Sequence, residues 1–587
     1  MVFMGLTNPF HKTSVDDYKG VVVPLSQAIR HPTVAAEYAR RNSGRPSLSD
    51  GSSHVDDAKK DNDRASKDND DGVMTSNSLG YSPYTIEGLR AEISDDMALV
   101  TSAEGGDSQY QYEVKSRLIN KAIQDIGMGR YNWQLFALCG FGWFADNLWL
   151  QGVALTLPSL SKEFGISDTH VRYTTCSLFI GLCIGASFWG IGSDIMGRRL
   201  AFNMTLFIAG AFGIAAGAAP SWIGACGLFA ALGVGVGGNL PVDGALFLEF
   251  LPNASGGLLT LLSIWWPIGQ LVASLIAWAF LGGRFSNDDG WRYFVYTLGT
   301  ITFCMFLARF ALFHLFESPK FLLSRGRQAE AVAVVHGMAF KNRTTTWLSE
   351  KILNEIGGDL VVETLTLTPF EVVKRKLASF SGERIGPLFR DKKLGWTTGL
   401  LWFCWATMGM GYPLFNAFLP QYLSKGKGSS GGAVTANETY RNYAITSIVG
   451  VPGSILACYT VDIPYIGRKG TMAISTCLSG VFLFLFTISA ESKTQLAFSS
   501  VEAFFQNIMY GVLYAYTPEV FPAPNRGTAT GISSFLNRFA GLCAPIIAAN
   551  IPSANPNAPV FVSGTLILGA FVAMCFLPIE TRGMQKL

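Results

Sequence analysis

Asp194-Ile195-Met196-Gly197-Arg198-Arg199 stands between two long apolar runs, and a looser copy, Asp462 followed by Gly467-Arg468-Lys469, stands between two more 268 residues later. The landmarks around it repeat in the same order. Glu249, in Glu249-Phe250-Leu251-Pro252, has a counterpart in Glu519, in Pro518-Glu519-Val520-Phe521-Pro522, 270 residues on. Glu317-Ser318-Pro319 and Glu580-Thr581 form a third pair at an offset of 263. Three landmarks kept in order at nearly constant separation indicate a chain built of two similar halves.

The solvent for most of this chain is lipid. Of its 587 residues 49% are hydrophobic and only 15% charged, and the mean hydropathy is +0.29, more apolar than a soluble core of this size requires. A span needs about 20 predominantly apolar residues. Such runs fall near 132–158, 170–191, 199–219, 222–248, 256–282, 292–316, 396–422, 440–461, 469–490, 494–516, 527–550 and 558–578. The expected architecture is an all-α membrane protein of twelve transmembrane helices in two pseudo-symmetric six-helix halves, residues 131–318 and 395–582. The segment 319–394 then forms a central loop and 583–587 a short carboxyl terminus. Arg198, Arg199, Arg468, Lys469 and Arg526 share one side with the two hydrophilic segments, which places both termini and the central loop in the cytosol. Of the Asn-x-Ser/Thr triplets, Asn253 and Asn342 then face the cytosol, Asn203 the bilayer and Asn437 the outside. Asn437 is therefore the candidate glycosylation site.

Residues 1–130 are expected to be a disordered cytosolic tail, because the charged tract from Ser47 to Gly72 cannot bury a core. Nothing near the amino terminus combines a charged start, an apolar stretch of signal-peptide length and a small-residue cleavage site, so insertion is expected to rely on the first span. The stretch from Val21 to Arg41 admits either a short helix against the membrane or a partner, or a flexible tail. All ten cysteines fall in spans, where they act as small apolar residues, so neither disulfides nor metal sites are expected. A net charge of +3 gives no footprint for nucleic acid. No catalytic triad, metal-ligand spacing or nucleotide fingerprint is present, so neither an enzyme nor a cofactor is expected.

The ordered set of motifs resembles the major facilitator superfamily, in the branch shared by sugar porters, synaptic-vesicle glycoproteins and nicotinate-type carriers. Its elements are Gly190 through Arg199, Gly233-Val234-Gly235-Val236-Gly237-Gly238, Phe316 through Leu322, Pro518 through Pro522 with Arg526-Gly527-Thr528, and Pro578 through Gly583. The resemblance covers roughly residues 131–583 and implies carriage of a small molecule by alternating access. Departures narrow the substrate. Phe229 stands where the superfamily commonly has an arginine in the fourth span. Trp402, Trp405, Tyr412 and Asn416 replace the polar signature of sugar porters, which disfavours a hexose. Trp265-Trp266-Pro267-Ile268-Gly269-Gln270 lacks the Gly-Pro pair frequent in antiporters.

The resemblance assigns the flanking motifs to a cytosolic gate. Asp194, Arg198, Arg199, Glu249 and Glu317 belong to one half; Asp462, Arg468, Lys469, Glu519, Arg526 and Glu580 belong to the other. Arg198 and Arg199 are placed to pair with Glu249, and Arg468 and Lys469 with Glu519. Glu317 and Glu580 complete the clusters, which are expected to break and reform as the halves rock. The alternative is that these charges only fix topology at the membrane surface.

Ionisable residues inside spans need a reason to be there, since each costs about 2.5–3.5 kcal/mol at the bilayer centre even on a lenient scale. Asp146, midway along the first span, either loads and releases a proton or balances a buried cation. That cation is Arg538, twelve residues past Arg526 and so about 18 Å along the eleventh span. Arg538 presents a fork of donors suited to a carboxylate substrate, or bridges to Asp146. Asp243, one turn past Asn239, is a second protonatable candidate. Asn147, Asn239, Gln270, Trp266, Trp405 and Asn416 complete the candidate substrate-binding set, with interhelical contact as the competing role. Gln506, Asn507 and Trp143 are placed similarly. Arg309 and His314, near the end of the sixth span, are read as structural, with Arg309 snorkelling to the interface.

The expected function is proton-coupled symport of a small polar or carboxylate-bearing organic solute by a monomer in the plasma membrane. Two alternatives stand beside it: metabolite or drug export by proton antiport, and a non-transporting sensor on the same scaffold.

Overall fold

In hydrocarbon every backbone N–H and C=O has to be satisfied within its own segment, so the twelve apolar runs must be helical, and in the structure each of them is. The computed structural model describes residues 13–28, 84–98, 107–252, 257–282, 290–313, 315–358, 385–386, 388–389, 391–424, 434–461, 463, 465–488, 491–521, 523–551 and 557–581. The first half contains α1 (Arg130–Phe164), α2 (Tyr173–Met196), α3 (Arg198–Gly217), α4 (Trp222–Gly237, resuming as Asn239–Phe250), α5 (Trp265–Leu281) and α6 (Gly290–Leu307). The second contains α7 (Lys392–Asn416), α8 (Ala436–Thr460), α9 (Gly467–Phe486), α10 (Ser492–Val520), α11 (Ala523–Asn550) and α12 (Ala558–Cys575).

Eight of these are long and apolar enough to cross a membrane by length and composition alone, and the others are α1, α5, α7 and α10. The α5 helix is merely short, preceded by a separate turn at Gly257–Leu262. Among the polar side chains of α1, α7 and α10, Gln151 bonds Tyr412 and Asn416 bonds Gln506 inside the bundle.

The duplication read from the motifs is a duplication of packing. Within the halves, α2 on α4 is matched by α8 on α10, α3 on α6 by α9 on α12, and α1 on α5 by α7 on α11. Between them, α5 packs on α8 and α2 on α11, two contacts that a two-fold operation exchanges. The glycines of the fourth span serve close approach: a Cβ on Gly233 would lie 2.5 Å from the Leu178 carbonyl oxygen, and one on Gly237 2.3 Å from that of Leu182. Directly after them the helix breaks at Gly238, where Asn239, Pro241 and Asp243 interrupt the apolar run.

The expectation of a disordered 1–130 tail is corrected in part. Residues Ile86–Ala98 and Asp107–Ile126 are helices. Val114, Leu118, Ile119, Ala122, Ile123 and Ile126 recur at helical spacing and are buried. They pack on three helices of the central segment, Pro319–Ser324, Gln328–Asn342 and Glu350–Gly357. Lys115 is fully buried there, its Nζ donating to Gln328 Oε1 at 2.7 Å and Asn354 Oδ1 at 3.1 Å. Gln328–Asn342 is a helix of this central segment, and Ala331 through Ala339 are buried beneath these amino-terminal helices. Residues 21–28 of the Val21–Arg41 stretch form a bridge from Val22 to Thr346 and a 3₁₀ turn at Leu25–Gln27. The Ser47–Gly72 tract, Asn253, His314, Asp462, 583–587 and the side chains of Asp194 and Arg526 lie outside the described residues.

Candidate functional site

At the motif-bearing end the two halves repeat one arrangement. Gly197 (φ 100°) and Gly467 (φ 61°) adopt a backbone that favours glycine, and each opens the helix after it. Glu317 accepts from the amides of Arg198 (2.9 Å) and Arg199 (3.2 Å) at the start of α3. Glu580 accepts from Arg468 (3.1 Å) and Lys469 (3.1 Å) at the start of α9. A carboxylate there satisfies orphan donors and meets the positive end of the helix dipole. Burial lifts the Glu317 carboxyl above its ordinary range, and hydrogen bonds from the amides of Ser318, Arg199 and Arg198 draw it back. The Arg198 guanidinium pairs with Glu249 at 2.9 Å, and Arg468 pairs with Glu519. Of the expected pairs, Arg198–Glu249 and Arg468–Glu519 meet, while Arg199 and Lys469 enter through their backbone amides to Glu317 and Glu580, and every one of these contacts joins segments of the same half. The clusters thus tie each half into a body.

Several hydrogen bonds cross the seam toward the opposite end. Arg172 donates to Gln421 Oε1 (3.1 Å) and to the Ala548 carbonyl (2.7 Å). Tyr440 donates to the Leu155 carbonyl at 3.1 Å. Trp278 Nε1 donates to Oδ1 of the exposed Asn437 at 2.6 Å.

Inside the first half, Arg309 does not snorkel. It falls within a π turn, Ala308–Leu312, which adds a residue to the helical period and re-aims the side chain. Its guanidinium donates to the carbonyls of Leu138 (2.7 Å) and Phe202 (2.8 Å), lies over the Phe202 ring at 3.7 Å, and pairs with Asp243 at 2.7 Å. Both side chains are 0% exposed. Asp243, read from sequence as protonatable, is therefore one member of an interior ion pair.

Asp146 and Arg538 occupy the seam. Asp146 is buried, and Asn239 Nδ2 approaches its Oδ1 at 3.5 Å. Arg538 of α11 lies within electrostatic range of Asp146 and of Tyr514 on α10, and its buried Nη2 has no hydrogen-bond partner among the described residues. Around them is a wall of rings drawn from both halves. Tyr514 meets Trp405 edge-on at 4.7 Å, Trp266 at 5.2 Å and Trp143 at 5.6 Å; Tyr510 meets Trp266 at 5.7 Å and Tyr412 at 5.6 Å. The indole N–H groups of Trp143 and Trp266 are also buried without acceptors among the described residues, whereas that of Trp405 donates to Thr517 at 2.9 Å.

A polar lattice continues from this wall. Asn147 Nδ2 donates to the Trp266 carbonyl at 3.0 Å and lies 3.5 Å from Gln270 Oε1. Asn416 donates to Gln506 Oε1 at 3.0 Å. Gln151, one turn beyond Asn147, donates to the Tyr412 hydroxyl at 2.8 Å and accepts from Tyr443. Sequence reasoning missed Gln151, Tyr443, Tyr510 and Tyr514. Gln151 had a signal, its i+4 spacing from Asn147. The tyrosines had none without knowing which face of α8 and α10 meets the other half.

Alternating access needs two bodies that meet along a polar, partly unsatisfied seam, and this is what the packing provides. A family model described as the Major Facilitator Superfamily matches residues 135–457 and 442–586. The MFS siderochrome iron transporter 1 of Ceriporiopsis subvermispora is 44% identical across 81% of this chain and 92% of its own length. The synaptic vesicle 2-related protein of Rattus norvegicus is 28% identical across 79% of this chain and 81% of its own. The solved proton:xylose symporter XylE, bound to 6-bromo-6-deoxy-D-glucose, shares the fold with a TM-score of 0.57 over 78% of this chain and 98% of its own, at 19% identity. With both halves inside the family model, the chain is an integral membrane protein that belongs to the Major Facilitator Superfamily of secondary transporters, and not an enzyme.

Proposed function

We propose that this transporter moves a small organic solute bearing a carboxylate, together with protons, into the cell. The observation that carries the reading is Arg538, a buried guanidinium at the seam with an Nη2 that has no acceptor among the described residues. Two indole donors without acceptors, on Trp143 and Trp266, stand against the same tyrosine as the arginine. Unmet buried donors are costly unless a ligand supplies acceptors, and a guanidinium fork matches a carboxylate. Rings along the same wall offer faces for the organic part of the solute. Asp146, close enough to sense Arg538, is the proton-coupling residue: solute carboxylate and Asp146 compete for one cation, so binding the solute favours protonating Asp146. Asp243, held by Arg309, is assigned a structural charge. Asn147, Asn239, Gln270 and Asn416 hold the wall in register and offer hydrogen bonds to the solute. The motif clusters keep each half rigid while the seam opens. We place the protein in the plasma membrane as a monomer, with both termini cytosolic and Asn437 outside.

The test is uptake into proteoliposomes of labelled organic acids, sugars and vitamins under an imposed pH gradient. A ferric siderochrome is included, the cargo class named for the 44% identical relative. Accumulation of an organic anion that follows the gradient is expected, with Asp146→Asn retaining exchange of that anion but losing gradient-driven accumulation. Accumulation of the siderochrome alone, or of a solute regardless of the gradient, would replace this reading.

A further inference from the structure

Glu502, on α10, is an intramembrane carboxyl that the site above leaves unused. It is 1% exposed. Its Oε1 accepts from Ser479 Oγ of α9 at 3.2 Å, and its Oε2 has no hydrogen-bond partner among the described residues. No basic side chain pairs with it among the described residues. Among the described residues, phenols lie within its electrostatic range: Tyr412 of α7, Tyr443 of α8 and Tyr510 of α10 itself. From α11, Arg538 reaches Tyr514, which is about 18 Å along α10 from Glu502.

A carboxylate held by one hydroxyl in a buried intramembrane position is strongly disfavoured, and a proton on Oε2 removes the charge. The surroundings also connect. Gln506, one turn away on the same face, has an Nε2 without a partner among the described residues. Tyr412 and Tyr443 both hold Gln151 of the other half, and Gln151 lies 3.4 Å from Asn147, the neighbour of Asp146.

We propose that Glu502, in the second half, is a proton-binding site additional to Asp146 in the first, protonated in this conformation and exchanging its proton with solvent. As a place in the transport cycle it rests on the proton-coupled reading above, but proton binding itself is tested without any solute. The measurement is infrared spectroscopy of the full chain in lipid, titrated with pH and transferred to D₂O. Expected is a protonated-carboxyl band that shifts in D₂O, disappears at alkaline pH, is lost in Glu502→Gln and persists in Asp146→Asn. Glu502→Asp, which keeps a titratable group, should move the band rather than abolish it, and this separates loss of the proton from loss of the fold. A band unchanged in both Glu502 variants, or one that does not shift in D₂O, overturns the proposal. A pH-gradient experiment that failed while this band behaved as expected would count against coupling and not against the site.

Discussion

Replacing Arg309 with methionine is expected to destabilise the protein by about 3–5 kcal/mol, the cost of leaving one member of a buried ion pair without the other. The pair has no route to water, since both side chains are 0% exposed. Loss of the guanidinium strands Asp243 and also the carbonyls of Leu138 and Phe202 that it serves. Asp243→Asn alone is expected to be similarly severe, because the cation is then unbalanced. Joining Arg309→Met to Asp243→Leu removes both charges, and most of the loss should be recovered. The check is the fraction of monodisperse protein surviving graded heating in detergent. A cost below about 1 kcal/mol for the single variants, or no recovery in the double, would mean that the pair does not hold α1, α3, α4 and α6 together.

Arg538→Ala is expected to lower kcat/KM for the anionic solute by about 30-fold or more, equivalent to about 2 kcal/mol and upward for truncating one partner of a buried charged contact. Arg538→Lys should fall in between, since an ammonium is a point charge and cannot present two parallel donors. The competing role is that Arg538 only neutralises Asp146, and the double variant separates the two. If neutralisation is all, Asp146→Asn restores exchange in the Arg538→Ala background. If the guanidinium binds the solute, the double variant stays as impaired as the single.

The apolar runs were readable because hydrocarbon leaves backbone no alternative to helix, and the two-half plan because Asp194, Glu249 and Glu317 recur in order as Asp462, Glu519 and Glu580 at nearly constant separation. Arg309 was misplaced for a definite reason. Depth counted along a regular helix put it near an interface, and a local π turn changes which way the side chain points. The helix Asp107–Ile126 was hidden by averaging: its overall polarity matches a solvated tail, while its apolar residues fall on one stripe. Asp146 and Arg538 were found because ionisable groups in spans are few, although Glu502, in the span 494–516, was passed over. Of the ring wall, Trp143, Trp266 and Trp405 were named from their depth in the spans, whereas Tyr510 and Tyr514 were not, because tyrosine is an ordinary residue in any span until the seam brings particular ones together.

The charge-cluster contacts described above each stay within one half, which makes this polypeptide severable. The helices between Pro319 and Gly357 pack with the amino-terminal segment and so travel with the first half. A break between Gly358 and Ile385 would cut none of the hydrogen bonds or ion pairs described above. Residues 1–358 and 385–587, made as two chains in one cell, are expected to find each other through the α5–α8 and α2–α11 faces, co-purify and regain uptake that neither piece has alone. Failure of the pieces to associate would show that the covalent tether, and not the seam, holds the transporter together.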